Sequence, residues 1–470
     1  MTSTPSMTTA SATALAAAIR GGRLTATEVL EAHIVRISAV NPRLNALVVA
    51  RFAQARAEAA AADAAPMEGR GPLHGVPATI KAALDVADLP STCGLLSRRD
   101  HVPTRDATLV TRLRAAGAIV LGVTNTPGNC WSQETENPLY GRTNNPWDVT
   151  RTVGGSTGGE AALIAAGGSP LGIGSDIAGS IRLPAAFCGI AGLRPTSGAL
   201  PEDGFWPPAE GGLGDLNALG PMARRVEDLA LAYDVLCGAP PRPRDPASVH
   251  GARVASWTDD GLTPSSPAVQ AGVRAATRAL VQAGMRPVTG APAARRLALV
   301  GWSAYHGADE RRAIAEGFGG GRAWSPAGEL GRALLGRGRV DIGTLHNWLS
   351  SHYGGALAIR LGVDGRSWRA ALRDQMRDLI GAGGVAVCPV FPSTAPRHGW
   401  PWGALPLTLS YQTWVNLAGL PGLALPVGFT RGGMPVGVQL VGAPGAEDVL
   451  LAAGLAVQRA LMPRWVGPPM

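Results

Sequence analysis

The stretch from Gly154 to Pro195 constrains this chain more than any other part of its sequence. Ser156 stands in a glycine-flanked loop that opens an apolar helical segment, and residues 170–174 then form a short apolar segment typical of a buried strand. Ser180 follows in a second glycine-containing loop. Glycines at this density indicate backbone that approaches a ligand closely, and N–H groups at such turns can stabilise an anion. The sequence therefore predicts a site built from two adjacent serine loops.

Three motifs in and before this stretch share their pattern with a known family. The loops read GGSTGG at 154–159 and DIAGSIR at 176–182, with Pro184 and Gly189 behind them, and GVPATIK stands at 75–81. In residues and spacing these motifs resemble the amidase signature family, and the residues around them are most similar to its fatty-acid amide hydrolase branch. A phosphate-binding loop does not fit, because no lysine follows the glycines of the first loop.

The resemblance implies an α/β fold, in which a single mixed β-sheet core is covered by helices on both faces. Because no linker divides the matching segments, residues 1–470 are expected to form a single domain. Its parts would be N-terminal helices at 1–65, a catalytic core at 70–235, a variable substrate-selecting region at about 250–405, and C-terminal strands and a helix at 406–470 that close the core.

The resemblance also implies the residues of the site. Ser180 would be the nucleophile, Ser156 the bridging serine and Lys81 the base, and the peptide that precedes Ser156 would be cis. For the supporting polar residues, and for the tryptophan of the acyl site, simple packing roles remain open as alternatives. The oxyanion hole would use the backbone N–H groups of Ile177, Ala178, Gly179 and Ser180. The supporting residues would be Thr157, Ser175, Asp176 and Arg182, and the acyl site would be lined by Cys130 and Trp131.

Lys81 is the only lysine in a chain with 42 basic residues. A serine is a weak nucleophile until a base removes its proton. Arginine stays charged and cannot serve, whereas a buried lysine can lose its proton because desolvation disfavours the charged form. No histidine lies near either serine loop in sequence, although the fold could bring one there. One lysine among so many arginines, at the end of a predicted strand, favours a chemical role for Lys81.

Ala178 departs from the family pattern, which usually has glycine at this position. Alanine cannot adopt backbone angles that only glycine tolerates, so the substitution would lower activity if the loop required them. If the loop does not, the methyl group merely narrows the site.

Composition excludes several other classes of protein. The net charge is +8, but the arginines form no basic block and accompany no nucleic-acid-binding motif, so we expect no nucleic-acid partner. No apolar run is long enough to span a membrane, and the N-terminus lacks a secretory signal. Five scattered cysteines without metal-ligand spacing fit a reduced, cytoplasmic protein. We expect neither metal nor cofactor; a homodimer stays open.

Local patterns predict several elements. Asn41-Pro42 is expected to end the second helix, and residues 317–339 read as a loose segment rich in glycine and arginine. The tryptophans of the variable region are interpreted as packing anchors or as walls of an apolar pocket, two alternatives that the sequence does not separate. They are Trp257, Trp302, Trp324, Trp348, Trp368, Trp400 and Trp402.

Four functions remain open at this point. The first is an amide hydrolase that acts on small, acyl-chain or aryl carboxamides. The second is an acyltransferase, in which an amine instead of water takes the acyl group from Ser180. The third is one component of an amidotransferase that acts on charged tRNA and needs partner subunits. The fourth is a binding module without catalysis, which the intact Lys81, Ser156 and Ser180 disfavour.

Overall fold

The computed structural model of the chain describes residues 7–208, 211–320, 324–335, 337–399 and 408–470. Within these residues eleven strands form one sheet, and two further short strands pair with each other. The strands are β1 (Leu47–Ala50), β2 (Pro77–Lys81), β3 (Ile119–Thr124), β4 (Glu136–Asn137), β5 (Gly141–Arg142), β6 (Leu171–Ser175), β7 (Ala191–Arg194), β8 (Leu219–Ala223), β9 (Arg253–Ser256), β10 (Arg286–Val288), β11 (Val385–Pro389), β12 (Gly422–Phe429) and β13 (Pro435–Val441).

The described residues also form sixteen α-helices. They are α1 (Ala12–Arg20), α2 (Ala26–Leu44), α3 (Phe52–Ala64), α4 (Thr108–Ala115), α5 (Gly158–Ala165), α6 (Arg182–Cys188), α7 (Gly211–Leu216), α8 (Val226–Cys237), α9 (Pro267–Gln282), α10 (Ala298–Tyr305), α11 (Ala308–Gly319), α12 (Pro326–Leu334), α13 (Ile342–Arg360), α14 (Gly365–Ile380), α15 (Ser410–Ala418) and α16 (Glu447–Leu461).

The large sheet is mixed. Its strand order is β1-β3-β2-β6-β8-β7-β12-β13-β11-β9-β10. β2 runs parallel to β3 and β6, and β9 runs parallel to β10 and β11, whereas the other neighbours are antiparallel. This confirms the predicted α/β class with one mixed sheet. The sheet takes strands from both halves of the chain, and the single domain stays a prediction.

Helices cover both faces of this sheet. Along β3, Val120 belongs to the core that contains α1, α4, α8 and α16, while Ile119 and Leu121 belong to the core that contains α2, α5 and α6. Successive side chains of a strand point to opposite faces, so these two cores lie on opposite sides. A third core packs α10, α13, α14 and α15 against residues of β9 and β11. Within the described part of the chain, no helix is both long and apolar enough to cross a membrane.

Two parallel strands place the candidate site at one edge of the sheet. Thr79 and Ile80 of β2 pair with Gly172 and Ile173 of β6. Carboxyl ends of parallel neighbours meet at the same edge, so the ends of β2 and β6 lie side by side. Lys81 is the last residue of β2, and the loop that contains Ser180 begins directly after β6.

The prediction that Asn41-Pro42 ends the second helix is wrong. α2 continues through Pro42 to Leu44 and ends at Asn45, which has a left-handed φ of 52°. A proline in the last turn removes a single helical hydrogen bond, and that cost is small beside continued packing. The side chain of Asn41 accepts hydrogen bonds from the backbone N–H groups of residues 46 and 47, which stabilises the helix end.

The prediction of a loose segment at 317–339 is also wrong for its described residues. α11 extends to Gly319, and α12 begins after Ser325, whose hydroxyl accepts the N–H of Gly328. Alanine and leucine at helical spacing outweigh the glycines and arginines that suggested irregular chain. The variable region also contributes β9, β10 and β11, so it is part of the central sheet.

Candidate active site

Lys81 lies at the bottom of the site and is fully buried. Its Nζ is 2.6 Å from Ser156 Oγ, 2.8 Å from Ser175 Oγ and 3.2 Å from Thr157 Oγ1. Among the described residues, no carboxylate lies within ion-pair distance of this amine. Three hydroxyl groups thus form a cage around the amine.

A buried carboxyl lies behind this cage without pairing with the lysine. Glu160 on α5 accepts hydrogen bonds from the hydroxyls of Thr79, at 2.7 Å, and Thr124, at 2.9 Å. Burial raises its pKa to about 8, against the opposing effects of the two hydroxyls and of a charge on Lys81. Glu160 is therefore largely protonated at neutral pH, which avoids an ammonium–carboxylate pair in the site.

We expect Glu160→Gln to gain stability relative to the unchanged protein as pH rises. The folded state holds a proton that the unfolded state releases above pH 4.5, so the stabilisation from this group is complete below pH 4.5 and lost as pH rises through 8. Glutamine does not titrate. Between about pH 6 and about pH 9 the difference in unfolding free energy should shift by about 3 kcal/mol toward the variant, measured by denaturant unfolding. Parallel pH dependences of the two proteins would contradict the assignment.

Backbone contacts fix the first serine loop. The peptide between Gly155 and Ser156 is cis, as the resemblance implied. The hydroxyl of Thr126 donates to the carbonyl of Ser156 at 2.8 Å, and the N–H of Thr157 donates to the carbonyl of Ser180 at 3.2 Å. The two serine loops are therefore tied to each other and to the turn after β3.

Asp176 holds the second serine loop through its carboxylate. It accepts the N–H of Gly179 at 2.8 Å, and Arg182 donates to it from Nε and Nη2, both at 3.0 Å. Burial would raise the pKa of Asp176, but the charges of Arg182 and Arg194 outweigh it and hold the carboxyl well below its usual range. The side chain of Asn416 donates to the same carboxylate at 2.8 Å.

One expected oxyanion-hole donor is already used in this loop. The N–H of Gly179 points to Asp176, so it does not match the predicted set of four donors. The N–H groups of Ile177, Ala178 and Ser180 have no acceptor among the described residues. Gly179 has a φ of +100°, and a Cβ there would lie 2.2 Å from the amide oxygen of Gln412, so glycine is required at this position.

Ser180 faces a cavity of about 230 Å³ with a mostly apolar lining. Its Oγ has no hydrogen-bond partner among the described residues, and the side chain is 6% exposed, whereas Ser156 and Lys81 are at 0%. Cys130 and Trp131 line the same cavity, as the resemblance implied. The structure therefore brings Lys81, both serines, the second loop and the acyl-site candidates together.

Of the tryptophans between residues 250 and 405, one lines the cavity and others are packing residues. Trp302 is a wall of the cavity, and its Nε1 donates to the carbonyl of Ile177 at 3.0 Å. Trp348 packs edge-on against Trp324 in the third core. Trp257 and Trp368 are also packing residues of this core. Trp400 and Trp402 lie outside the described residues.

The fold does not supply a histidine base to either serine. Within the described ranges, no histidine hydrogen-bonds to Ser156 or Ser180. His346 lines the cavity, and His306 packs its ring on Trp302, with ring centroids 4.9 Å apart. The lysine is therefore the base candidate in contact with a serine.

Comparisons with known proteins identify the family of this chain. The model of the family described as Amidase matches residues 28–451. The chain belongs to the amidase family.

Relatives of this amidase cover nearly all of its length. It is 34% identical to fatty-acid amide hydrolase 2-B of Danio rerio, with 98% of this chain and 91% of that protein covered. It is 33% identical to indoleacetamide hydrolase of Bradyrhizobium diazoefficiens, with 95% of this chain and 86% of that protein covered. Among solved structures, 6-aminohexanoate cyclic dimer hydrolase complexed with substrate matches with a TM-score of 0.79 at 28% identity, covering 96% of this chain and 97% of that one.

One further relative belongs to a multi-component enzyme. The chain is 36% identical to a component of the glutamyl-tRNA(Gln) amidotransferase of Nitratidesulfovibrio vulgaris (strain DP4), with 92% of each protein covered.

Sequence reasoning missed several residues that shape the site of this amidase. Thr126, Gln412 and Asn416 contact the serine loops. Asn416 stands in a segment that resembles the family, but the sequence assigned none of the three a role in the site. Glu160 follows the first glycine loop directly, and its position in an apolar helix was the available signal for a buried carboxyl.

Ala178→Gly is expected to keep or raise the turnover of the amidase. Ala178 does not have a positive φ, so alanine is compatible with the backbone of this loop. The methyl group of Ala178 only narrows the cavity that the residue lines. Unfolded-chain entropy should cost up to about 1 kcal/mol of stability. Steady-state kinetics with thermal unfolding measures both effects. A large loss of turnover in the folded variant would show that the methyl group is needed.

Proposed function

We propose that this amidase hydrolyses carboxamides through an acyl-enzyme on Ser180, with Ser156 as proton relay and Lys81 as base. The contact that carries the proposal is the 2.6 Å approach of Lys81 Nζ to Ser156 Oγ, directly beneath a cavity that Ser180 lines. The exposures of the three residues agree with these roles. Ser180, which would meet the substrate, is the one that lines the cavity, whereas Ser156 and Lys81 are fully buried.

Each proton has an acceptor in the proposed reaction. Ser180 Oγ attacks the amide carbonyl carbon and gives its proton to Ser156, which passes its own to Lys81. The oxyanion receives hydrogen bonds from the N–H groups of the second loop, foremost those of Ile177 and Ala178. The C–N bond then breaks, and the leaving amine takes the proton back through Ser156. Water, deprotonated by the same relay, releases the acid from Ser180.

The cavity favours an apolar acyl group. Its walls include Trp131, Trp302 and Leu299, and its lining residues include no aspartate, glutamate, lysine or arginine. Burying an acyl chain or aryl ring there would gain about 25 cal/mol per Å² of apolar surface. The similarity to a fatty-acid amide hydrolase supports the same class of substrate.

A graded series of amides and matched esters tests this proposal. We expect hydrolysis of primary amides, with kcat/KM rising with acyl length or with an aryl ring until the cavity is filled. Adding an amine nucleophile separates hydrolysis from acyl transfer, because a transferase would form the new amide. The similarity to an amidotransferase component favours one further candidate, and co-purification with partner proteins would reveal it. Absence of amide cleavage across the series would overturn the proposal.

A further inference from the structure

Two cysteine thiols meet beside the candidate active site. Cys93 Sγ and Cys130 Sγ are 3.5 Å apart, and the N–H of Asn129 donates to the carbonyl of Cys93 at 2.9 Å. Both cysteines have left-handed φ values, 48° and 58°, which few residues other than glycine adopt. The surrounding structure therefore holds these two backbones, and with them the two sulfurs, in an uncommon arrangement.

Only one of the two thiols is open to small molecules. Cys130 lines the cavity that Ser180 faces, whereas Cys93 is fully buried behind it and its Sγ donates to the carbonyl of Trp206 at 3.4 Å. A small oxidant that enters the cavity would therefore reach Cys130 first.

We propose that Cys93 and Cys130 form a peroxide-sensitive thiol pair, whose oxidation to a disulfide reversibly lowers turnover at the adjacent site. A disulfide requires the sulfurs to approach to about 2.05 Å, a movement of about 1.5 Å shared by two side chains. The effect on turnover rests on the proposed function, whereas formation of the disulfide does not.

The reaction balances with hydrogen peroxide as the oxidant. The Cys130 thiolate attacks one peroxide oxygen, the O–O bond breaks, and hydroxide leaves and is protonated to water. The Cys93 sulfur then attacks the Cys130 sulfenic acid, the S–O bond breaks, and a second water carries away the Cys93 proton. Two thiols thus supply the two electrons that reduce the peroxide, and a dithiol reverses the process by exchange.

Opposite pKa shifts favour Cys130 as the attacking thiol and Cys93 as the resolving thiol. Burial opposes ionisation of Cys130, but the contact with Cys93 and a positive charge on Lys81 outweigh burial and lower the pKa of Cys130. Burial and the neighbouring sulfur raise the pKa of Cys93. Lys81 lowers the pKa of Cys130 only while its amine is protonated. The contact with the Cys93 sulfur lowers it whether Lys81 is charged or neutral.

The disulfide would disturb the site through the turn after β3. Cys130 Sγ lies 3.6 Å from the hydroxyl of Thr126, the same hydroxyl that donates to the carbonyl of Ser156. Moving Cys130 also reshapes the wall of the substrate cavity. Since a misplacement of about 1 Å in a catalytic site can cost about 100-fold, we expect a loss of about tenfold or more.

Peptide mapping tests the bond itself. After hydrogen peroxide treatment and trypsin digestion without reductant, peptide 82–98 should be joined to peptide 115–142, because these are the tryptic peptides that contain Cys93 and Cys130. Dithiothreitol should separate the peptides and restore turnover together. Cys237→Ser, which alters a half-buried thiol on α8 outside this pair, should behave like the unchanged protein.

The Cys93→Ser variant distinguishes disulfide formation between the two cysteines from general oxidative damage. Without the resolving thiol, no joined peptide can form, and Cys130 should instead be trapped as a sulfenic acid by dimedone. Peroxide inactivation of the unchanged protein without the joined peptide would overturn the proposal. So would full turnover with the joined peptide present, or a Cys93→Ser variant whose Cys130 is not labelled by dimedone after peroxide treatment.

Discussion

Lys81→Arg is expected to be as inactive as Lys81→Ala, with turnover reduced about 1000-fold or more in both. Arginine keeps the positive charge, so a purely electrostatic role would survive in part. It cannot accept a proton from Ser156 because its guanidinium does not deprotonate in proteins. Steady-state kinetics on both variants, with circular dichroism to verify the fold, measures the effect. More than a tenth of the original activity in Lys81→Arg would overturn the base assignment.

The charge state of the lysine can be observed directly in the unchanged protein. Because Lys81 is the only lysine, lysine labelled with carbon-13 gives one side-chain signal without an assignment problem. We expect the chemical shift of a neutral amine at the pH of highest activity, because only an uncharged amine can accept the proton from Ser156 in the proposed mechanism. The shift of an ammonium group in the active enzyme would contradict the mechanism. This measurement does not depend on whether Lys81→Arg folds.

Ser180→Ala should abolish labelling by a fluorophosphonate and lower kcat/KM about 10⁴-fold or more. Of the two loop serines, Ser180 is the one that lines the cavity. The N–H of Thr157 holds its loop through the backbone carbonyl of Ser180, so loss of the hydroxyl should leave the fold intact. Labelling at the original rate in the folded variant would place the nucleophile elsewhere.

The Ser156→Ala variant tests the role of Ser156 as proton relay separately from the role of Ser180 as nucleophile. It leaves Ser180 and its cavity in place, so slow labelling at Ser180 should persist while hydrolysis is strongly reduced. Ser248→Ala is a matched control, because this exposed serine hydrogen-bonds only locally, to the carbonyl of Asp245. Equal labelling rates for Ser156→Ala and Ser248→Ala would remove Ser156 from the proton path.

Local patterns predicted most elements along the chain. The buried strand that ends in Lys81 and the last helix, α16, are both present. The errors arose where a local signal competed with packing. Pro42 reads as a helix end, but the helix continues because its apolar face remains buried beyond the proline.

The sequence by itself identified the candidate reactive groups of this amidase. Lys81, Ser156 and Ser180 stand in short motifs whose residue types follow from the chemistry of an activated serine, and chemistry of this kind is carried by the side chains themselves. The family followed from the same motifs, and the comparisons confirm it.

Only the tertiary structure decided which distant residues hold these groups in place. Asn416 and Trp302 contact the second serine loop from more than 100 residues away, and the N–H of Gly179 turned out to serve Asp176. Such contacts depend on how strands β2, β6 and β12 align in one sheet and on which helices cover that edge. These contacts join residues that are distant in sequence, so no local pattern encodes them.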